Sequence, residues 1–362
     1  MSGSTSPLSG SILAKSFSLD FECRLRESAR PRRRQVKSST ILGSSAALTR
    51  SFSSPRESRC FIVCCKRFGT SVRVTDAISA KARQVRDYYD ANTARFELLG
   101  QGRATGAVHR AVWGEGVESR DAAFEYPNEL VLREYAELSR ELGRALRVLD
   151  LGCGVGGSLL FLAARTPITG TGVTVSSAQA ARASQSVRTA GLEGRIAILQ
   201  ADFLSLPEEL PQAHLAYAIE AFVHASDPEA FFAAAARQVV RGGVLIVCDD
   251  FLCPHQPSLS RRDRRIVDRV RDGWLANSLV TLSDAHAHAE RAGFRLTKSM
   301  NLTPHLELGR PRDRFVRAML AAFGSLPIPG MAWRSLVGGN ALQAALLSGL
   351  IEFRFVVWRR AS

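Results

Sequence analysis

Short apolar runs alternate with longer segments of helical spacing from residue 147 to the end of the chain. Continuous apolar runs of about four to eight residues are typical of strands buried on both faces, and apolar residues three and four apart indicate amphipathic helices. Their alternation predicts an α/β fold, a parallel sheet with helices on both faces. The predicted strands cover residues 147–151, 168–175, 196–200, 215–219, 244–248, 294–303 and 351–358, and the predicted helices cover 77–89, 129–142, 158–164, 178–191 and parts of 309–349.

A glycine-rich turn joins the first of these strands to the next helix. Asp150 lies near the end of the strand, and Gly152, Gly154, Gly156 and Gly157 follow it. Glycine lets the backbone turn tightly and approach a ligand, and the helix behind the turn points unpaired N–H groups at that ligand. The G-x-G-x-G spacing differs from the G-x-G-x-x-G of dinucleotide sites. The turn predicts a ligand site, although glycines kept only for packing give the same pattern.

The segment that reads DLGCGVG, residues 150–156, resembles motif I of class I S-adenosylmethionine-dependent methyltransferases. The resemblance implies a Rossmann-like sheet and S-adenosyl-L-methionine (SAM) as cofactor. It also implies that the cofactor contacts the strand end and the turn, through Asp150, Gly152, Cys153, Gly154 and Gly156.

Two later strand ends carry residues that the resemblance assigns to the same cofactor. Many methyltransferases have an acid after the second strand that binds the ribose hydroxyls, but this chain has Thr174 there, followed by Gln179. A hydroxyl and an amide also pair with a diol, and this pattern resembles the subgroup of cyclopropane-forming and sterol C-methyltransferases. Asp202 resembles the acid that binds the adenine amine, with Phe203 beside the ring. The alternatives are an ordinary strand threonine and an aspartate that caps a turn.

Residues 76–128 resemble the N-terminal lid of small-molecule and sterol methyltransferases. There a Tyr-Tyr-Asp segment folds over the cofactor, which implies that Tyr89 touches the methionine carboxylate and that Tyr88 lies near the substrate. The next segment lines the substrate pocket, which implies the same for His109 and Trp113. These two residues are four apart and share a face if the segment is helical. The alternatives are an aromatic pair on an amphipathic helix and a structural histidine.

The strand at 215–219 is followed by Glu220, at the sheet edge where α/β proteins bind ligands. The segment YAIEAFVH, residues 217–224, resembles the motif after the fourth strand of sterol 24-C-methyltransferases and the equivalent glutamate of geranyl diphosphate methyltransferases. The resemblance implies that an alkene attacks the sulfonium methyl and that Glu220 stabilises the carbocation and removes a proton, with His224 as a second base or as the residue that orients Glu220. A glutamate that stabilises a helix N-terminus is the alternative. Aromatic faces also stabilise cations, and the candidates are Phe222, Trp113, Tyr88 and Trp274.

The net charge of +14 is unevenly distributed. Residues 1–75 hold 14 Lys and Arg against 4 Asp and Glu, a net charge of +10, and the rest of the chain is nearly balanced. The core is therefore not predicted to bind nucleic acid. Residues 1–75 are rich in Ser and Arg and have no sustained period, which predicts disorder, in a transit-like peptide or a mis-assigned start.

The apolar runs and the cysteines indicate the cellular compartment of the protein. No apolar run reaches the 18 or so residues of a membrane span. Seven cysteines at scattered spacing form neither a disulfide frame nor a metal pattern. These features predict a cytoplasmic protein, with organelle targeting by residues 1–75 as the less favoured alternative.

The sequence predicts a methyltransferase domain at residues 76–362, with a cap at about 304–350, and a small apolar or prenyl substrate. The first hypothesis is SAM-dependent C-methylation of an isoprenoid double bond in terpenoid or other secondary metabolism, with Mg²⁺ as a possible cofactor only if the substrate is a diphosphate. The second is O- or N-methylation of a small natural product, and the third is a cofactor-binding scaffold without turnover. Fold alone cannot choose among them. A homo-oligomer is compatible with the sequence.

Overall fold

The computed structural model describes residues 73–74, 78–98, 109–254, 259–323 and 330–362. Apart from Arg73–Val74, the predicted extension of residues 1–75 lies outside these ranges. Residues 99–108 of the predicted lid also lie outside them.

Eight strands of the described residues form one sheet: β1 (Arg73–Val74), β2 (Arg147–Leu151), β3 (Thr169–Thr174), β4 (Ile196–Gln200), β5 (Ala213–Ile219), β6 (Val239–Leu252), β7 (Phe294–Asn301) and β8 (Ile351–Arg360). Their order in the sheet is β1-β4-β3-β2-β5-β6-β8-β7. The pairs from β1 to β6 in that order are parallel, and β8 runs antiparallel to both β6 and β7. The predicted α/β class is confirmed.

The helices of the described residues are α1 (Ala80–Leu98), α2 (Arg120–Leu142), α3 (Gly157–Arg165), α4 (Ser177–Thr189), α5 (Pro228–Gln238), α6 (Arg261–Trp274), α7 (Leu282–Arg291), α8 (Pro311–Phe323) and α9 (Met331–Leu347). Helix α2 begins at Arg120 instead of residue 129, and α1 continues to Leu98 instead of ending at residue 89. None of these helices is both long enough and apolar enough to cross a membrane.

The first turns of α2 contain an N-terminal cap and an internal proline. Ser119 is the N-cap, and its hydroxyl accepts a hydrogen bond from the Ala122 N–H. Pro127 lies inside the helix and has no N–H to donate to the carbonyl of Ala123. That carbonyl accepts from the Val112 N–H instead, at 2.8 Å. The proline therefore creates the point at which the preceding segment attaches to α2.

The segment from His109 to Trp113 is not helical, so the shared helical face considered for these two residues is wrong. Val112 forms an isolated antiparallel bridge with Leu306, and the Trp113 N–H donates to the carbonyl of His305 at 2.7 Å. Because other elements take these backbone groups, the segment runs along the neighbouring structure instead of coiling on itself.

The order of strands reverses between β2 and β5. The chain goes from β2 outward to β3 and β4, and then crosses to the other side of β2 to form β5 and β6. Open α/β sheets bind ligands outside the carboxyl ends of the strands at such a reversal. The residues after Leu151 and Ile219 therefore lie where a ligand is expected.

Candidate active site

A cavity of about 430 Å³ lies at the carboxyl ends of β2 and β5. The glycine turn after β2 and the end of β3 contribute main-chain and polar groups to it. Helices α1, α6, α8 and α9 and neighbouring segments contribute aliphatic side chains as well as aromatic and polar ones, and the aliphatic set includes Val85, Val223, Val270, Leu279, Val316, Leu336 and Leu342. The cavity therefore combines a polar sheet edge with an apolar cover, as ligand sites commonly do.

The glycine turn has the geometry of a ligand cradle. Gly152 has a φ of +102°, and a Cβ built on it lies 2.4 Å from the Cβ of Ala221, so a larger residue is excluded on both counts. Its N–H and that of Cys153 both donate to the carbonyl of Val173, at 2.9 and 2.8 Å. Gly154 lines the cavity, and the space that a Cβ would occupy there is open. The predicted turn thus leaves room for a ligand against bare backbone.

Polar side chains that the sequence predicted for the cofactor line the same part of the cavity. The Tyr217 hydroxyl donates to the buried Asp150 at 3.0 Å, and burial raises the pKa of Asp150 to about 7. The Thr174 hydroxyl donates to the side-chain oxygen of Gln179 at 2.8 Å. This hydrogen bond holds together the pair predicted to replace the ribose-binding acid.

Two predicted cofactor residues have structural positions instead. The Asp202 carboxylate caps the short helix Phe203–Ser205 by accepting from the Leu204 N–H at 3.0 Å, and Asp202 does not line the cavity. The geometry of Asp202 is therefore that of the turn-capping aspartate named as the alternative. Phe203, in contrast, lines the cavity. Gly156 also lies outside the lining, because it is the N-cap of α3 and packs against Ala183.

Glu220 lines the cavity directly after β5. Its φ is +49°, a left-handed conformation that is unfavourable for a residue with a Cβ. Its N–H continues the sheet by donating to the carbonyl of Cys248 at 2.8 Å. Its carboxylate accepts a hydrogen bond of 2.6 Å from the N–H of Arg110, a residue 110 positions earlier in the chain. Strained backbone of this kind is concentrated at functional sites.

Arg110 links Glu220 to a second acid. Its two terminal nitrogens each lie 2.9 Å from a carboxylate oxygen of Asp250, and its Nε lies 3.2 Å from Glu220. The guanidinium also lies 4.1 Å above the centre of the Phe353 ring. The cluster therefore places one guanidinium between two carboxyl groups.

Asp249 adds a third acid beside this cluster. Its carboxylate is fully buried and accepts from the N–H groups of Val223 at 3.1 Å and Asp250 at 2.8 Å. Burial first, and the charge of Asp250 second, raise the pKa of Asp249 from 3.8 to about 8. Asp249 is therefore neutral in the folded protein near pH 7.

Replacing Asp249 with asparagine is expected to change how stability depends on pH. Between pH 3.8 and about 8 the folded protein holds a proton that the unfolded chain has released. This acid therefore lowers the free energy of unfolding as pH rises, by at most about 1.4 kcal/mol per pH unit. We expect wild type to lose stability relative to Asp249→Asn across that window, as measured by urea denaturation at several pH values. A difference that stays constant with pH would contradict the raised pKa.

His224 pairs with the lid helix α1. Its Nε2 lies 2.9 Å from the hydroxyl of Tyr89, and its Nδ1 lies 3.4 Å from the carbonyl of Leu275. Because a carbonyl only accepts, Nδ1 carries the proton and Nε2 accepts from Tyr89. Burial lowers the pKa of His224, which keeps the ring neutral. The role considered for His224 in orienting Glu220 is wrong for this geometry, since Arg110 makes that contact.

The predicted substrate residues divide into two groups. Tyr88, His109 and Trp274 line the cavity, and the Ser335 hydroxyl of α9 donates to the Tyr88 hydroxyl at 2.9 Å. Phe222 does not line it, which corrects the prediction for that residue. The short helix Phe222–His224 turns its fully buried ring into the core, against Phe231, Phe232 and Phe251.

Trp113 is also outside the cavity lining, and its predicted contact with substrate is not supported. Because its segment is extended, the side chain packs beside Ala111 and Phe124. The residues that the sequence prediction missed are Arg110, Asp249 and Asp250. The two acids follow the apolar run of β6 at the ligand edge of the sheet, so their position was a usable signal, whereas nothing local distinguished Arg110.

The fold and the cavity define an α/β protein with a nucleotide-type cofactor turn at the reversal of its sheet. Residues 148–243 match the model of the methyltransferase domain family. Methyltransferase GfsG of Streptomyces halstedii is 32% identical over 247 residues, which cover 68% of this chain and 83% of that protein. The chain belongs to the class I S-adenosylmethionine-dependent methyltransferases, and the predicted enzyme class is confirmed.

Two further comparisons add one sequence relative and one solved structure. Cycloartenol-C-24-methyltransferase 1 of Oryza sativa subsp. japonica is 28% identical over 215 residues, which cover 59% of each chain. A solved geranyl diphosphate methyltransferase in complex with geranyl diphosphate and sinefungin has a TM-score of 0.59 at 17% identity, over 79% of this chain and 100% of that chain. At this identity the structural match supports the fold.

Proposed function

We propose that this enzyme methylates a carbon–carbon double bond of an apolar, isoprenoid-type substrate. Glu220 stabilises the carbocation that methylation produces and then removes a proton from it. The observation that carries the proposal is the Glu220 carboxylate, held by Arg110 in a cavity whose surface is mostly apolar. The relationship to a cycloartenol C-24-methyltransferase supports the substrate class.

The residues present fit the SAM cofactor. Bare backbone at Gly154 faces the cavity, and Asp150, Thr174, Gln179 and Phe203 line it nearby. When bound, SAM supplies a methyl group on a sulfonium: the alkene π pair forms the new C–C bond, and the C–S pair remains on sulfur. Glu220 then faces an acceptor carbocation.

The charge of the cluster suits a neutral acceptor. A neutral alkene becomes a cation on methylation, and the Glu220 carboxylate, with the carboxyl group of Asp250 nearby, is placed to stabilise that cation. The Glu220 carboxylate then takes a proton from the neighbouring carbon, and the C–H pair forms the new double bond. The apolar wall excludes water, which would otherwise capture the cation.

The geometry favours a neutral isoprenoid over a prenyl diphosphate. The arginines at 261–265 do not line the cavity, as expected for a solvated helix face. Arg310 and Arg312 do line it, but Arg310 is 3.1 Å from Asp313 and 3.7 Å from Glu307. Tight binding of a diphosphate requires several unpaired cationic side chains or a metal ion.

The direct test is methyl transfer from isotope-labelled SAM to a panel of geraniol, geranyl diphosphate, cycloartenol and simple phenols. We expect a product heavier by one methyl group from an isoprenoid, with the new methyl on carbon by NMR, and no product from the phenols. Methylation of the phenols alone would contradict the proposal and favour an oxygen acceptor.

O- or N-methylation is the second candidate, and the pair formed by Tyr89 and His224 favours it. A neutral histidine whose Nε2 accepts from a tyrosine hydroxyl at 2.9 Å is able to relay a proton from a hydroxyl or amine acceptor. In that case His224→Ala abolishes phenol methylation, while Glu220→Gln leaves it intact.

A further inference from the structure

We propose that Arg110 is the positioning residue of this active site: its side chain anchors the segment whose backbone holds the Glu220 carboxylate in the cavity. The inference rests on the proposed role of Glu220 and adds the residue through which that role is maintained. The resemblance gave Arg110 no role, and its contacts with the site arise from the tertiary fold.

The anchor is built on two adjacent strands. Both terminal nitrogens of Arg110 contact Asp250 on β6 at 2.9 Å, and the guanidinium lies 4.1 Å above the ring of Phe353 on β8. Asp250 and Phe353 are direct partners in the β6–β8 ladder. Both anchoring groups are therefore fixed to the rigid centre of the sheet, and a two-point contact with a carboxylate defines the orientation of a guanidinium.

The anchored segment holds Glu220 through the backbone. The Arg110 N–H donates to the Glu220 carboxylate at 2.6 Å, and Nε lies 3.2 Å from the same oxygen without the alignment of a hydrogen bond. Residues 99–108 before this segment are outside the described ranges. On the other side the segment is attached through Val112 and Trp113. The guanidinium is thus a side-chain contact, made by residue 110 itself, that fixes where its N–H lies.

Several other titratable groups of the described residues surround Glu220. Tyr89, His109, His224, Cys248, Asp249 and Asp250 are the other titratable groups that interact electrostatically with Glu220. Among these and Arg110, only Arg110 is a permanent cation, since both histidines are buried with a lowered pKa. Arg110 is therefore the permanent positive charge beside the carboxylate that it positions.

The test uses the full-length enzyme with the acceptor panel described above. Arg110→Met is expected to lower kcat by about 100-fold, the loss that follows misplacement of a reacting group, and to leave the KM for SAM within about twofold of wild type. Arg110→Lys retains a cation facing Asp250 and is expected to recover about a tenth of the wild-type kcat. Arg165→Met is the matched control, because Arg165 lies 3.6 Å above the Phe161 ring and 3.5 Å from Glu125 but outside the cavity.

A double-mutant cycle separates positioning from a purely structural role. In a Glu220→Gln background, Arg110→Met is expected to change the residual rate by less than about twofold, because it acts through the missing carboxylate. An equal loss in both backgrounds would overturn the inference and leave the proposed function standing. Full activity of Glu220→Gln would instead overturn the proposed function, and with it the role of Arg110.

If wild type methylates no isoprenoid of the panel, the proposed function fails. The positioning role of Arg110 is then tested separately, by crystal structures of the variants. A Glu220 carboxylate that leaves its position in Arg110→Met, and keeps it in Arg110→Lys and Arg165→Met, supports positioning by Arg110. An unmoved carboxylate in Arg110→Met overturns it.

Discussion

Glu220→Gln is expected to lower methyl transfer to an isoprenoid acceptor by about 1,000-fold, within the range that positioned acids and bases contribute. Glutamine has nearly the same shape as glutamate, but it carries no charge to stabilise a cation and takes no proton. Glu220 is on the cavity wall after β5, whereas the glycine turn predicted for the cofactor follows β2. We therefore expect the dissociation constant of S-adenosylhomocysteine, measured by calorimetry, to be unchanged.

A buried glutamate elsewhere in the fold provides the control for this substitution. Glu134 on α2 is paired with Lys298 and lies outside the cavity lining. Glu134→Gln removes a carboxylate from an ion pair just as Glu220→Gln does, so it is expected to reduce stability without reducing turnover. A Glu220→Gln enzyme with normal turnover would remove the main residue of the C-methylation proposal.

Gly152→Ala is expected to abolish cofactor binding and to lower the free energy of unfolding by about 3 to 5 kcal/mol, the sum of backbone strain and overpacking. The φ of +102° is strained for alanine, and the new Cβ lies 2.4 Å from the Cβ of Ala221. Relief of that overlap requires movement of the turn or of the residue next to Glu220. Urea denaturation and loss of thermal protection by SAM are the measurements.

Two further variants separate the strain from the overlap. Gly242 has a φ of +73° with nothing within 4 Å of its added Cβ, and it is outside the cavity lining, so Gly242→Ala is expected to cost about 1 kcal/mol without affecting SAM binding. Adding Ala221→Gly to Gly152→Ala removes the overlap and is expected to restore part of the lost stability. Normal SAM protection in Gly152→Ala would contradict the cradle geometry.

Local sequence predicted the elements that do not depend on distant partners. The strand at Arg147–Leu151, the glycine turn and the helix behind it are encoded by adjacent residues, and the structure has them in place. The pairing of Thr174 with Gln179 is similarly local, because the two residues are five positions apart across the start of α4.

Local sequence was less informative where two conformations fit the same residues. The helix Phe222–His224 is one short turn, so no long period indicated that Phe222 faces the core while Val223 and His224 face the cavity. The apolar spacing predicted a start of α2 at residue 129, whereas the helix continues back through Pro127, and the carbonyl of Ala123 that this proline leaves free accepts from Val112. In both cases a contact from another element selects between the conformations.

The sequence by itself determined the α/β sheet, the cofactor turn and the identity of the acid after β5, because burial pattern and backbone requirements act over a few neighbouring residues. Only the tertiary structure decided what surrounds that acid. Arg110, Glu220 and Asp250 are separated by 110 and 30 positions, and their contact depends on the reversal of strand order and on the segment attached at Val112. Charged groups that lie so far apart in the sequence interact strongly only after the fold has brought them together and displaced the water between them.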